Sequence, residues 1–202
     1  MASLLNMSGS RLVGSKVLPY DVEIEYLESS GTQFINTEVY GTELLKTELS
    51  VQELRIDRSV AVFGCFSSDK RNYYLYQAGA SVGVWQVGFR GFQDTNTRIS
   101  SNRHTFIWDN FSVYIDGIVM ETFQQGSFKT PKELLLFNIA GGQYRSVAKR
   151  VYYCKMWDNG VLTRDLIPVR VGQVGYMYDK VSKKLFGNNG TGNFILGPDK
   201  TN

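Results

Sequence analysis

VYYCKMWDNGVLTRDLIPVR, Val151 to Arg170, is the stretch on which the reading of the fold turns. Its first half alternates in period two. Val151, Tyr153, Lys155 and Trp157 fall on one face and Tyr152, Cys154 and Met156 on the other, the spacing of an extended strand. Asp158-Asn159-Gly160 follows, residue types that tolerate the positive φ of a tight turn, and the extended pattern resumes through Val161, Leu162, Leu166 and Ile167. The pattern is a β-hairpin. Pro168 has no N–H to give to a ladder, so the second strand is expected to end there or to lie on an edge.

Working outward, the same period recurs along the chain. Ile24 and Tyr26 are separated from Phe34 and Ile35 by the turn composition Ser29-Ser30-Gly31-Thr32. Between Glu43 and Leu54, Leu45, Thr47, Leu49, Val51 and Glu53 share one face, opposite Lys46, Glu48, Ser50 and Gln52. Such a strand has one face on the core and one on water. Val60 to Phe66 is more uniformly apolar and reads as more central. Tyr73 to Gln77, Val84 to Phe92, Arg103 to Trp108, Asn110 to Ile115, Ile118 to Phe123 and Leu134 to Ile139 read as further strands, with a turn at Asp116-Gly117. Val174 to Asp179, Lys184 to Phe186 and Phe194 to Leu196 complete the set. Many short strands, regular turns and no long helical period predict an all-β antiparallel sandwich.

The hairpin together with VGYMYDKVSKKLFGNNGTGN, Val174 to Asn193, resembles the C-terminal part of concanavalin A-like, LamG-type jelly-roll domains. These recur in tailed-phage structural proteins and in gut-bacterial surface proteins. EIEYLESSGTQFINT, Glu23 to Thr37, is similar to the opening strand pair of that group, and NFSVYIDGIV, Asn110 to Val119, to its internal hairpin. The resemblance implies a jelly roll rather than an immunoglobulin topology, over residues 21–202. It leaves function open, because lectins, glycosidases and plain adhesion modules share that fold.

A chain of 202 residues suffices for one sandwich with a large core, and no second hydrophobic pattern asks for another domain. Residues 1–20 mix Ser and Gly with isolated apolar residues and keep neither period. They read as an irregular N-terminal arm, either a loose terminus or an anchor peptide that docks on a partner subunit. The net charge of +3 comes from scattered residues, with none of the basic runs that nucleic-acid binding needs. No stretch approaches the roughly 18 apolar residues of a membrane helix, and the first residues lack the layout of an export signal. A virion protein assembled in the host cytoplasm fits that pattern, and so does a piece of a longer bacterial surface protein. Cys65 and Cys154 each sit in an apolar strand pattern and are expected as buried free thiols. A homo-oligomer is open as well, fibre proteins often being trimers, although nothing in these residues marks a trimer seam.

Three chemistries are open. Sugar binding needs an aromatic platform and planar polar groups, and Tyr74, Tyr76, Trp85, Arg90, Asn138 and Tyr144 offer both. If Tyr73 and Leu75 face inward, Tyr74 and Tyr76 face out. Laminarinase-type glucanases, which share the fold, carry Glu-x-Asp-x-x-Glu on one strand face; the resemblance maps Glu23, Glu25 and Glu28 onto it, with Glu25 in place of Asp. Against hydrolysis, this strand opens the domain, and the only histidine, His104, has no nucleophile elbow to serve. Calcium, common in lectins, would have to use Asp69, Asp94, Asp109, Asp158 or Asp179 with Asn72, Asn96 or Asn110, none of which forms an Asp-x-Asp-x-Asp run. The expected function is therefore a non-enzymatic module that binds carbohydrate on a phage fibre or capsid surface, with a glycoside hydrolase and a purely structural subunit as alternatives.

Overall fold

A computed structural model of the chain describes residues 18–78, 83–141 and 148–201. Its strands, in chain order, are β1 (Val22–Glu23), β2 (Leu27–Ser29), β3 (Ile35–Thr42), β4 (Leu45–Glu53), β5 (Val60–Cys65) and β6 (Tyr73–Ala78). There follow β7 (Val84–Phe89), β8 (Gln93–Arg98), β9 (Arg103–Asp109), β10 (Ser112–Ile115), β11 (Ile118–Thr122) and β12 (Lys129–Leu136). The last are β13 (Lys149–Asp158), β14 (Val161–Val171), β15 (Val174–Asp179), β16 (Leu185–Phe186) and β17 (Ile195–Leu196). The arm expected at residues 1–20 lies outside the described residues up to position 17. Tyr20 packs its ring on Tyr178, 4.9 Å between centroids.

The strands form two antiparallel sheets. The larger runs β11-β10-β9-β4-β13-β14-β15-β16, with β1, β2 and β17 paired at its side, and the smaller runs β3-β12-β5-β6-β7-β8. Period-two patterning puts one face of each sheet into a shared core, where Leu49, Val51, Phe63, Tyr73, Trp85, Phe106, Trp108, Cys154 and Met156 are almost fully buried. Burial of apolar surface at about 25 cal/mol per Å² is what drives the two layers together. The expected antiparallel sandwich of the jelly-roll kind is the fold observed. Cys65 and Cys154 are free and buried.

The organising hairpin forms as β13 and β14, joined by Asn159 (φ 47°) and Gly160 (φ 79°). Positive φ at both central residues matches the right-handed twist of the strands. Two details depart from expectation. Along β13 the pairing with β4 shifts between Val151 and Tyr153. Val151, Cys154 and Met156 are buried in the core while Tyr152 and Tyr153 are both half-exposed, so strict alternation breaks at this β-bulge. Pro168, for its part, neither ends β14 nor lies on an edge: the strand continues to Val171, paired to β15 throughout. Its carbonyl accepts from Ile24 N at 3.1 Å. In an antiparallel strand the N and the C=O of one residue point to the same side. The missing donor therefore falls where β14 exchanges β13, which it pairs up to Leu166, for β1 at Val169 and Arg170.

Strand β8, QDTNTR, has only Thr95 of its six residues buried, and no apolar alternation marks it in the sequence. It is a polar edge strand, and such an edge resists pairing with other chains.

Candidate functional site

The residues expected to bind sugar do not come together. Tyr73 and Leu75 do face the core, and Tyr74 points outward from β6. Even so, Tyr74 is only 2% exposed. It lies in a small outer cluster with Ala61 and Ile139, flanked by Phe66 and Tyr76, and its hydroxyl donates to Gln86 Oε1 at 2.7 Å. Gly88 makes the hollow for this ring: a Cβ there would stand 2.6 Å from it. Trp85 shares the core face of β7 with Val87 and Phe89, is 1% exposed and meets Phe106 edge-on at 5.0 Å. Neither Tyr74 nor Trp85 can serve as a platform for a sugar. Arg90 fastens a turn instead, donating from Nη1 to the carbonyl of Gln125 at 2.8 Å. Tyr76 is half-buried beside Tyr74. Tyr144 lies outside the described residues. Asn138 lines a cleft with Tyr40, and Arg90 a separate one with Asp69, Arg71 and Phe128, so no two of the six share a site.

The cleft at Asn138, of about 550 Å³, is on the outer side of the smaller sheet and is bounded by Asn36, Tyr40, Lys132, Glu133 and Asn138. Its aromatic wall is Tyr40, 38% exposed. A bulge in β3 presents this ring. Tyr40 pairs with Glu133 and Asn36 with Leu135, so three residues of β3 oppose Leu134 alone. The extra residues are held by side chains: Asn36 Oδ1 accepts from Glu38 N at 3.0 Å, and Thr37 Oγ1 donates to Leu134 O at 2.8 Å. Glu38 takes φ 59°, a left-handed conformation. Bulges of this kind re-aim a side chain, and here the one re-aimed is Tyr40. Asn36 Nδ2 donates to Glu133 Oε2 at 2.6 Å, so the planar groups are oriented before any ligand arrives. Lys129 Nζ stands 4.4 Å from the Tyr40 ring centroid. On the far side of Tyr40 a second depression, about 340 Å³, is lined by Glu38, Asp158 and Arg164. A signal for this site exists in the sequence: Asn36, Glu38 and Tyr40 recur at every second position, an aromatic at the end of an otherwise polar strand face.

The glucanase-like carboxylates are not carried by one strand. The segment breaks at Glu25 and Tyr26, so β1 pairs β14 while β2 pairs β13 and β17. Glu23 accepts from the Tyr20 hydroxyl at 3.3 Å and meets Lys200 Nζ at 3.6 Å. Glu28 is held by Arg150 Nε at 2.7 Å, with the Arg150 guanidinium 4.3 Å from the Tyr26 ring. Glu25 is exposed. His104 sits between Asp116 Oδ2, 2.7 Å from Nδ1, and Ser100 Oγ, 2.6 Å from Nε2. Asp116 Oδ1 accepts from Thr105 N at 2.8 Å across the hairpin turn. None of Ser100, His104 and Asp116 lines the cleft at Tyr40, and the array ties the β8–β9 loop to the β10–β11 turn.

Four of the five aspartate candidates for calcium are spoken for in other ways, and Asp158 lines the depression with Glu38 and Arg164. Asp69 pairs with Arg71 at 2.6 Å and Asp109 with Lys46 at 2.8 Å. Asp94 accepts from Gln86, and Asp179 accepts from Asp165 N and the Ser182 hydroxyl. Among the described residues no three His, Cys, Asp or Glu side chains gather around a point that could hold a metal ion. Among the same residues no helix is long and apolar enough to cross a membrane.

The sequence matches no protein-family model and no curated protein. Among solved structures, the chain is similar to a candidate carbohydrate-binding protein of Bacteroides ovatus, with TM-score 0.61 and 10% identity over 89% of this chain. The match covers 61% of that protein's chain, so this chain spans less than two thirds of its length. At that identity the likeness is one of fold, an all-β sandwich shared by the two.

Proposed function

We propose that this chain is a non-enzymatic carbohydrate-binding module whose site is the cleft at Tyr40. The observation that carries the reading is the exposed Tyr40 ring standing beside the prealigned Asn36–Glu133 pair and Asn138. An aromatic face for the C–H side of a pyranose, with planar groups for its vicinal hydroxyls, is the chemistry that sugar recognition needs. The name of the Bacteroides ovatus neighbour is consistent with it. The resemblance of the β13–β14 hairpin and of Val174 to Asn193 to LamG-type domains of tailed phages is the ground for a place on a virion surface, with residues 1–20 as the anchor to a neighbouring subunit. A purified-protein glycan array, with whole-cell binding in parallel, tests the reading. Tyr40→Ala and Glu133→Gln should each abolish the signal in a protein that unfolds at the same denaturant concentration as wild type. Silence of the wild-type protein across the array, or binding indifferent to both substitutions, overturns it. Deleting residues 1–20 should leave binding intact and remove the protein from particles.

A further inference from the structure

The geometry points to a ligand of at least two linked sugar residues, a neutral oligosaccharide that crosses the Tyr40 ring from one depression into the next. This rests on the reading of the Tyr40 cleft as a carbohydrate site and adds the length and the charge of what binds there. Tyr40 belongs to two depressions at once, the cleft of about 550 Å³ and the one of about 340 Å³. The ring is therefore a ridge between two hollows and not the wall of one closed pocket. A single pyranose would fill one side and leave the other to water.

The second hollow is built where the two sheets meet. The smaller sheet gives it Glu38 and Lys129, and the larger gives Leu45, Asp158 and Arg164. Two bulges aim these groups. The one in β3 holds Glu38 at φ 59°. In β14, Met156 pairs with Arg164 but Trp157 with Leu162, so Thr163 is an extra residue. Arg164 lies opposite the core residue Met156 and crosses to β3, its Nε donating to Thr37 O at 3.1 Å. Its Nη1 donates to Thr163 O at 2.9 Å, and its Nη2 stands 3.7 Å from Glu38 Oε2. The guanidinium is thus set in place before any ligand arrives. Asp158 is exposed, and among the described residues its carboxylate has no hydrogen-bond or ion-pair partner, which leaves it open to a hydroxyl.

Charge and shape narrow the ligand. Glu38 and Asp158 balance Lys129 and Arg164, so the hollow has no prevailing sign to draw an anion or a cation. Carboxylates accept and cations donate, and together they answer the vicinal hydroxyls of a neutral sugar. Leu45, 2% exposed, gives an apolar floor. Lys129, whose Nζ is 4.4 Å from the Tyr40 ring centroid, lines this hollow and not the first cleft. One face of the ring is therefore taken by the ammonium. A first sugar residue stacks on the other face, and the second is held by its hydroxyls.

Isothermal titration with cello-, malto-, laminari-, xylo- and manno-oligosaccharides of one to six residues tests the inference, with oligogalacturonates of the same lengths as the charged comparison. At least one neutral series should bind, with affinity rising on the order of tenfold from the monosaccharide to the di- or trisaccharide and then levelling off. Glu38→Asn, a residue type that tolerates positive φ, and Asp158→Ala should each remove most of that rise and leave the shortest ligand unaffected. Tyr40→Ala should lose every length. No binding by any series, or binding indifferent to Tyr40→Ala, ends the carbohydrate reading of the cleft and this inference with it. A monosaccharide that binds as tightly as its hexamer, with Tyr40→Ala still abolishing binding, overturns this inference alone and leaves the proposed function standing. So does a length dependence that ignores both Glu38→Asn and Asp158→Ala, or oligogalacturonate binding more tightly than every neutral series. Coincident unfolding curves for the variants establish that the changes act on the ligand and not on the fold.

Discussion

What lies beneath a tyrosine ring decides whether it is a surface or a brick. Tyr74 and Tyr40 both point away from the core, yet Tyr74 lies in the hollow left by Gly88 while Tyr40 stands on a bulge. Tyr74→Ala should therefore cost about 3–5 kcal/mol, the usual loss for a large buried ring, and Tyr40→Ala should stay within about 0.5 kcal/mol. Urea denaturation of the two variants reads the difference directly. Equal losses would mean that Tyr40 is a packing residue and would take the platform away. This is also the limit of what was legible at this scale. Alternation placed Tyr74 and Tyr76 on the outer face correctly, and it placed Leu45 to Glu53 with the core. It could not register that a glycine one strand away, invisible in the local pattern, turns an outward ring into a buried one. Trp85 was misplaced for a simpler reason, since Val87 and Phe89 at the same parity already mark its face as the core face.

Among the strands, the deciding features are the irregular ones. The hairpin at Asp158-Asn159-Gly160 was legible because its turn chemistry is local, and both central residues do take positive φ. Gly160 has nothing within 4 Å of where a Cβ would stand, so Gly160→Ala tests backbone conformation alone. The expected loss is about 1–2 kcal/mol, the cost of a left-handed L-residue, seen as a lower denaturation midpoint with an unchanged m-value. No loss would show that the turn can reopen into another type. The bulges in β3 and β13 were not legible, because the inserted residues, two in β3 and one in β13, leave the composition of the strand unchanged. Yet the candidate cleft at Tyr40 sits on the bulge in β3. Pro168 misled in the same manner: its missing donor excludes a ladder bond on one side, and the exchange of β13 for β1 leaves that side free of a demand.

At the scale of the whole molecule, the two sheets are joined by more than apolar contact. Lys149 is 0% exposed in β13 and donates from Nζ to the carbonyl of Ala61, in β5 of the other sheet, at 2.6 Å. Opposite it in the β4–β13 register lies Glu53, 1% exposed, whose two carboxylate oxygens have no hydrogen-bond partner. Burial pushes the Glu53 carboxyl up from its ordinary 4.5 to about 7, with Lys149 pulling partly the other way. A carboxyl whose folded value is raised holds its proton longer in the native state than in the unfolded chain. Between about pH 4.5 and 7 the native state therefore binds more protons, and stability falls as pH rises through that window. The span is at most about 3.5 kcal/mol, since each unit is worth about 1.4 kcal/mol. Asp179 works in the opposite sense at lower pH. Burial raises it, but hydrogen bonds from Asp165 N and Ser182 outweigh that and hold it below the usual carboxylate range, so its contribution is lost as pH falls. The two slopes place the stability maximum near the lower end of the Glu53 window, well below the sequence pI of 8.8. Denaturation midpoints measured from pH 4 to 8 should decline above about pH 5, and Glu53→Gln should flatten that decline. A wild-type profile that is flat or rising from pH 5 to 7 would mean that Lys149 keeps Glu53 charged throughout, and the junction between the sheets would then be a true ion pair.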